Sequence, residues 1–144
     1  METNSRFINF ITLPNYDFDI NAPEFQKEGE AFTIWFLEGI LKVNPNYVDC
    51  LTYLGNAYTA NGMYEKGLMV DQKLHGLRPK DPLVQYNLAC SYALLKNVDS
   101  AIEALERAII LGYTDIYHLE RDKDLALLRK DARFRKLIEK MKTR

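Results

Sequence analysis

Two cysteines, two histidines, five prolines, seven glycines and one tryptophan among 144 residues leave several kinds of chemistry poorly supplied. Cys50 and Cys90 are far apart and lack a CxxC spacing, so neither a disulfide framework nor a zinc site is expected, and both read as buried free thiols. His75 and His118 have no serine, cysteine or carboxylate at a spacing that implies a nucleophile and its base. His75 falls near a predicted helix C-terminus, where a partly charged imidazole is favourable. No glycine-rich phosphate loop, dinucleotide fingerprint, HExxH or EF-hand pattern is present. The chain is therefore expected not to be an enzyme and to need neither cofactor nor metal. No stretch approaches the roughly 18 apolar residues of a membrane span, and the N-terminus has no basic segment followed by an apolar run and a small-residue cleavage site. A cytoplasmic location, without membrane partners, is the expectation.

What is present is material for a core: 47% of the residues are hydrophobic and 27% charged, with a net charge of −1. The charge is unevenly spread. Residues 121–144 hold ten Lys/Arg against four Asp/Glu, whereas residues 1–30 hold six acids against two bases. The basic tail (Arg129, Lys130, Arg133, Arg135, Lys136, Lys140, Lys142, Arg144) could meet phosphates, but it lacks an aromatic platform for base stacking. A solvated helix face with cations at its C-terminal end accounts for it, so nucleic acid is not the expected partner.

An internal repeat organises the middle of the chain. Leu51, Leu54, Gly55 and Tyr58 are matched 34 residues later by Gln85, Leu88, Ala89 and Tyr92. Gly67 aligns with Ala101, Leu74 with Ala108 and Pro45 with Pro79 at the same period. Gly55, Ala89, Gly67, Ala101 and Ala108 are small enough to let paired helices approach, with Leu and Tyr filling the space beside them. Gly62 and Lys96-Asn97 break the chain between paired helices, and Asp81-Pro82 supplies an N-cap and a first-turn proline. The spacing predicts helices near 48–60, 64–77, 82–95 and 98–111.

These residues resemble the tetratricopeptide-repeat (TPR) pattern W-x2-L-G-x2-Y…A-x3-F…P. In the first unit, residues 48–81, Leu51 replaces the Trp, Gly67 replaces the Ala, and Asp71 stands where a large aromatic is expected, which implies looser packing there. In the second, residues 82–115, Leu88-Ala89, Tyr92, Ala101, Leu105 and Ala108 fit closely, and Tyr113 replaces the closing proline. The resemblance implies an all-α, right-handed superhelix of antiparallel helix hairpins.

The flanks read as caps. Residues 24–47 contain a helical stretch with Phe32, Trp35, Phe36, Leu37, Ile40 and Leu41 on a broad apolar face, similar to the second helix of a degenerate unit. Trp35 is expected in the core, a ligand platform being the alternative. Residues 116–144 read L-x-x-D-x-D-L-x-x-L-R-x-D-x-R-F from Leu119 and resemble the closing segment of many bacterial TPR proteins. Phe134, Leu137, Ile138 and Met141 form the apolar stripe of a last helix of about 131–142. Residues 1–23 form an aromatic arm, extended or partly ordered, carrying Phe7, Ile8, Phe10, Ile11, Leu13, Tyr16 and Phe18, with Pro14 and Pro23 against a long helix.

Stacked hairpins curve, and the first helix of each unit lines a groove that in this architecture usually binds extended peptides. By the alignment that groove carries Asp49, Thr52, Tyr53, Asn56 and Thr59, then Leu83, Tyr86, Asn87, Cys90 and Leu94. Asn56 and Asn87 are 31 residues apart, the spacing of two asparagines in TPR domains that clamp the C-terminal carboxylate of chaperone tails. An amide can donate to a carboxylate and accept from a peptide N–H. Arg121 falls near the place of the clamp's arginine, but Thr52 and Tyr117 occupy those of its lysines, which points to a neutral or mixed groove. The expected function is a protein-interaction module for a peptide or protein partner. The alternative is a homo-oligomeric scaffold assembled through the arm.

Overall fold

The computed structural model describes residues 23–143, so the arm apart from its last residue lies outside the described residues. Among the described residues seven α-helices follow one another: α1 (Pro23–Val43), α2 (Val48–Ala60), α3 (Tyr64–Leu77), α4 (Pro82–Leu94), α5 (Val98–Ile110), α6 (Ile116–Arg121) and α7 (Ala132–Lys142). Two single 3-10 turns, Lys123–Leu125 and Leu128–Lys130, join α6 to α7. The described residues contain no strand, and no helix among them is long and apolar enough to cross a membrane.

The helix limits follow from local chemistry. Asp81 caps α4, its Oδ1 accepting from the backbone N–H of Leu83 and Val84 at 2.9 and 3.4 Å, with Pro82 in the first turn. Gly62 and Lys96, one 34-residue period apart, both turn the chain with positive φ, 72° and 63°. Glycine adopts that left-handed conformation without penalty, whereas lysine sits there against its side chain's steric preference.

α2 pairs with α3 and α4 with α5, each as an antiparallel hairpin, and α3 packs on α4 to stack them. Small residues set the approach: a Cβ on Gly67 would lie 2.9 Å from Thr59 Oγ1, and one on Gly55 would lie 3.3 Å from Val70 Cγ1. In the second hairpin Ala89, Ala101 and Ala108 are wholly buried.

The core divides in two. Leu51, Leu54, Tyr58, Val70, Leu74 and Val84 form one apolar cluster, with Ile34, Leu37 and Leu41 of α1 against it. The other joins α4 and α5 to Leu119, Leu125, Leu128 and the Phe134–Leu137–Ile138–Met141 stripe of α7. The seam between α3 and α4 is polar: Asp71, Gln85 and Ser91 are all buried there. Gln85 Nε2 donates to the Pro79 carbonyl at 3.0 Å and its side chain meets His75 Nδ1, so His75 helps join the hairpins.

Two expectations need correction. The described residues do not place Trp35 in the core: it is 67% exposed, beside Phe32 and Phe36, because the α2 side of α1 takes Ile34, Leu37 and Leu41 instead. Asp71 does not loosen its hairpin. It is 6% exposed, since Gly55 leaves it room and the Ser91 hydroxyl supplies a donor.

Candidate functional site

α2 and α4, the leading helices of the two hairpins, face a common side, and the turn after α6 comes down against α4. Between them lies a cleft of about 660 Å³. Helical spacing sets its walls: Asn56, Thr59 and Ala60 share one face of α2, while Tyr86 with Cys90 and Asn87 with Ser91 form adjacent rows one turn apart on α4. Asp71 closes the base from α3, and His118, Asp122, Lys123 and Asp124 close the end from the cap.

Of the residues expected on the groove, the cleft brings together Asn56, Thr59, Tyr86, Asn87 and Cys90. Asp49, Thr52, Tyr53, Leu83, Leu94 and Arg121 do not line it. Thr52 turns its hydroxyl back to the Val48 carbonyl at 2.9 Å. Tyr53 and Leu83 are exposed in the N-terminal halves of their helices. Arg121 lies over the Tyr117 ring, 3.7 Å from its centroid, and donates to the Tyr117 carbonyl. Among the described residues no hydrogen bond engages the side chain of Asn56 or Asn87, so both amides are free to meet another chain.

Asp122 ties the cap to α4. Its Oδ1 accepts from the Asp124 N–H at 3.0 Å, starting the 3-10 turn, while Oδ2 accepts from the Tyr86 hydroxyl at 2.5 Å and lies 3.8 Å from Cys90 Sγ and 3.3 Å from His118 Nε2. Arg129 donates to its carbonyl at 2.6 Å. The Tyr86 ring stacks on Tyr113, centroids 4.4 Å apart and nearly parallel. Burial, and after it the Asp122 charge, holds the Cys90 thiol well above its usual pKa, and burial does the same to the Tyr86 phenol, so both stay protonated donors.

Cys90, Asp122 and Asp124 also present sulfur and oxygen atoms within 4.8 Å of one another. The thiol is held protonated and both Asp122 oxygens already accept hydrogen bonds, so the cluster reads as a hydrogen-bonded joint and not as a ligand set.

Two other carboxylates face the cleft without a cation. The contacts between basic and acidic side chains among the described residues are Arg107–Glu103, His118–Asp122, Arg133–Asp99, Arg133–Asp131 and Lys142–Glu120, and none uses Asp71 or Asp124. Burial pushes Asp71 up to about 6, against the pull of the Ser91 hydrogen bond, which reaches only Oδ2. Asp124 is raised by burial and then by the neighbouring Asp122 charge.

Sequence reasoning did not assign Asp71, Ser91, His118, Asp122, Lys123 or Asp124 to the site. Asp71 carried a signal, an acid where the repeat wants a large apolar ring. Asp122 and Asp124 carried one as the acids of the closing motif, but nothing in it says which helix they meet, because the return of residues 118–124 onto α4 is a tertiary event.

No family model matches the chain. Over 88 residues it is 34% identical to a chloroplastic protein of Arabidopsis thaliana, a stretch covering 59% of this chain and 26% of that protein. It is 30% identical over 88 residues to Superkiller protein 3 of Saccharomyces cerevisiae, covering 61% of this chain and 6% of that one. The chain thus matches about a quarter or less of the length of these curated relatives. Among solved structures, a crystal structure of MamA superposes with a TM-score of 0.67 at 22% identity, over 89% of this chain and 75% of that one. MamA 41-end from Desulfovibrio magneticus RS-1 gives 0.64, also at 22% identity, over 82% and 65%. At that identity the likeness is one of fold.

Proposed function

We propose, from the premise that this chain is a tetratricopeptide-type repeat protein with an all-α solenoid of helix hairpins, that it is a non-catalytic interaction module holding a peptide segment of a partner protein in the cleft between α2, α4 and the cap. One observation carries the reading: a cleft of about 660 Å³ has two unengaged amides, Asn56 and Asn87, on its walls and two carboxylates without cations, Asp71 and Asp124. Amides on two successive helices suit a peptide main chain, donating to its carbonyls and accepting from its N–H groups. A buried carboxylate short of partners favours a cation. The preferred segment therefore carries a lysine or arginine side chain, or a free α-amine, and a terminal carboxylate is disfavoured. The partner is a peptide or protein, and the compartment an aqueous one. Against the cytoplasmic expectation stands one plant relative whose name places it in the chloroplast.

A peptide array that varies one position between lysine, arginine, glutamine and glutamate, followed by calorimetry on the best binder, tests this. Asn56→Ala with Asn87→Ala should weaken binding by about 2 kcal/mol, one lost hydrogen bond per amide. Asp71→Asn should remove the preference for the basic residue. Unchanged affinity in the asparagine double variant, or an array without basic preference, refutes the proposal.

The binding should depend on pH in a set direction. A cation binds the ionised form of Asp71, so affinity rises as pH climbs through about 6 and levels off above it. The other charged or titratable groups on the cleft are His118, Asp122, Lys123, Asp124, Tyr86 and Cys90. The step is read as the difference between the parent and Asp71→Asn, whose profile should lack it.

A further inference from the structure

α1 has a well-packed side and an open one. Ile34, Leu37 and Leu41 meet the first core, and the Tyr58 hydroxyl donates to Glu38, tying α1 to α2. On another face Phe32, Trp35 and Phe36 are 61%, 67% and 52% exposed, with Phe32 against both neighbours at centroid distances of 5.6 and 6.2 Å. Val43 continues the stripe at the far end, nearly fully exposed. Three large aromatic rings in contact on one face are costly to leave in water.

The repeat register says where the cover should come from. Thr33, Phe36 and Ile40 stand one 34-residue period before Gly67, Val70 and Leu74, which are buried on α3 where it meets α2, the helix that precedes it. Phe36 is thus at the position that an N-terminally adjacent segment covers in the next unit. The chain attached to Pro23 has the right composition: residues 1–22 carry Phe7, Ile8, Phe10, Ile11, Leu13, Tyr16, Phe18 and Ile20. It has the length as well. The stripe runs from about 14 Å to about 30 Å along α1 from Pro23, and some twenty residues reach about 30 Å as a helix or about 65 Å extended. A segment tethered this closely meets the face at an effective concentration in the millimolar range, ahead of a separate molecule in dilute solution.

We infer that residues 1–20 of the same chain fold back onto the Phe32–Trp35–Phe36 face of α1 and complete the first hairpin of the stack. The cover is independent of the cleft and of what the cleft binds.

Trp35 is the sole tryptophan of the sequence, so its fluorescence reports this face alone. In the full chain, at concentrations where light scattering shows a monomer, emission should be blue-shifted and acrylamide quenching weak. Phe7→Ser, Phe10→Ser and Ile11→Ser together in the full chain should shift emission to the red and raise the quenching constant several-fold, with helical circular dichroism kept. A parent chain in which Trp35 is as accessible as free indole overturns the inference, as does a triple variant with unchanged quenching. A dimer that dissociates on dilution while Trp35 becomes exposed assigns the cover to a second copy, the arm-mediated scaffold, and also overturns it. Should the triple variant not fold, the parent's quenching as a monomer decides by itself.

Discussion

Leu105→Asp is expected to leave the chain largely unfolded, while Asp71→Leu, at the same position of the preceding repeat, is expected to stabilise it. The two residues are 34 apart and occupy one place in the pattern. Leu105 is completely buried among the apolar residues of α4, α5 and the cap. Removing it forfeits about 2–5 kcal/mol, and a carboxylate put there without a donor costs several more, against about 5–15 kcal/mol holding a typical domain together. Asp71 tolerates the same chemistry because Ser91 bonds it and the cleft lies beside it. With its folded-state pKa pushed up to about 6, the native state binds that proton more tightly than the unfolded chain. The contribution to stability is present below the ordinary carboxylate value of about 4 and is lost as pH rises through about 6, by up to about 3 kcal/mol. Leucine there removes that term and should add about 1–3 kcal/mol near neutral pH, less whatever Ser91 loses. Urea denaturation of both variants at neutral pH checks this. A cooperative transition for Leu105→Asp at the parent's midpoint, or a lower midpoint for Asp71→Leu, contradicts it. The gain should come with a loss of the basic preference proposed for the cleft, the usual relation between a strained functional group and stability.

The second large effect concerns Asp122. Asp122→Ala should detach the cap from α4, because one carboxylate serves the Tyr86 hydroxyl, Cys90, His118 and the Asp124 N–H. The Tyr86 hydroxyl, on a residue only 5% exposed, would be stranded. Hydrogen bonds to a charged group contribute about 1.5–3 kcal/mol each, so a loss of about 3–5 kcal/mol is expected. Asp122→Asn should lose less, since its Oδ1 can still cap the turn. Amide hydrogen exchange locates the effect: protection should fall across residues 116–141 before it falls in α2 and α3. Protection unchanged in the cap would show that apolar packing of Leu119, Leu125 and Leu128 holds it without the joint.

Those two sites mark the reach of the sequence. The 34-residue period, the small residues at 55, 67, 89, 101 and 108, and the capping chemistry of Asp81-Pro82 were enough for the paired helices, because each acts within one helix or between neighbours in the chain. The pairing of Asn56 with Asn87 came from the resemblance to the repeat pattern, which sets both on leading helices. Trp35 was misjudged because an apolar stripe shows only that a residue seeks cover, not which side of the helix a neighbour occupies. The cleft itself was beyond reading. Asp122 lies 36 residues from Tyr86 and Asp71 lies 20 from Ser91, and no periodicity links either pair. The sequence by itself determined the repeat, its helices and its class of fold, since those rest on local sterics and hydrophobic spacing. Only the tertiary structure decided which groove residues share a cleft, which carboxylates have no cation and which aromatic face the described residues leave uncovered, because burial and pairing depend on where distant segments come to rest.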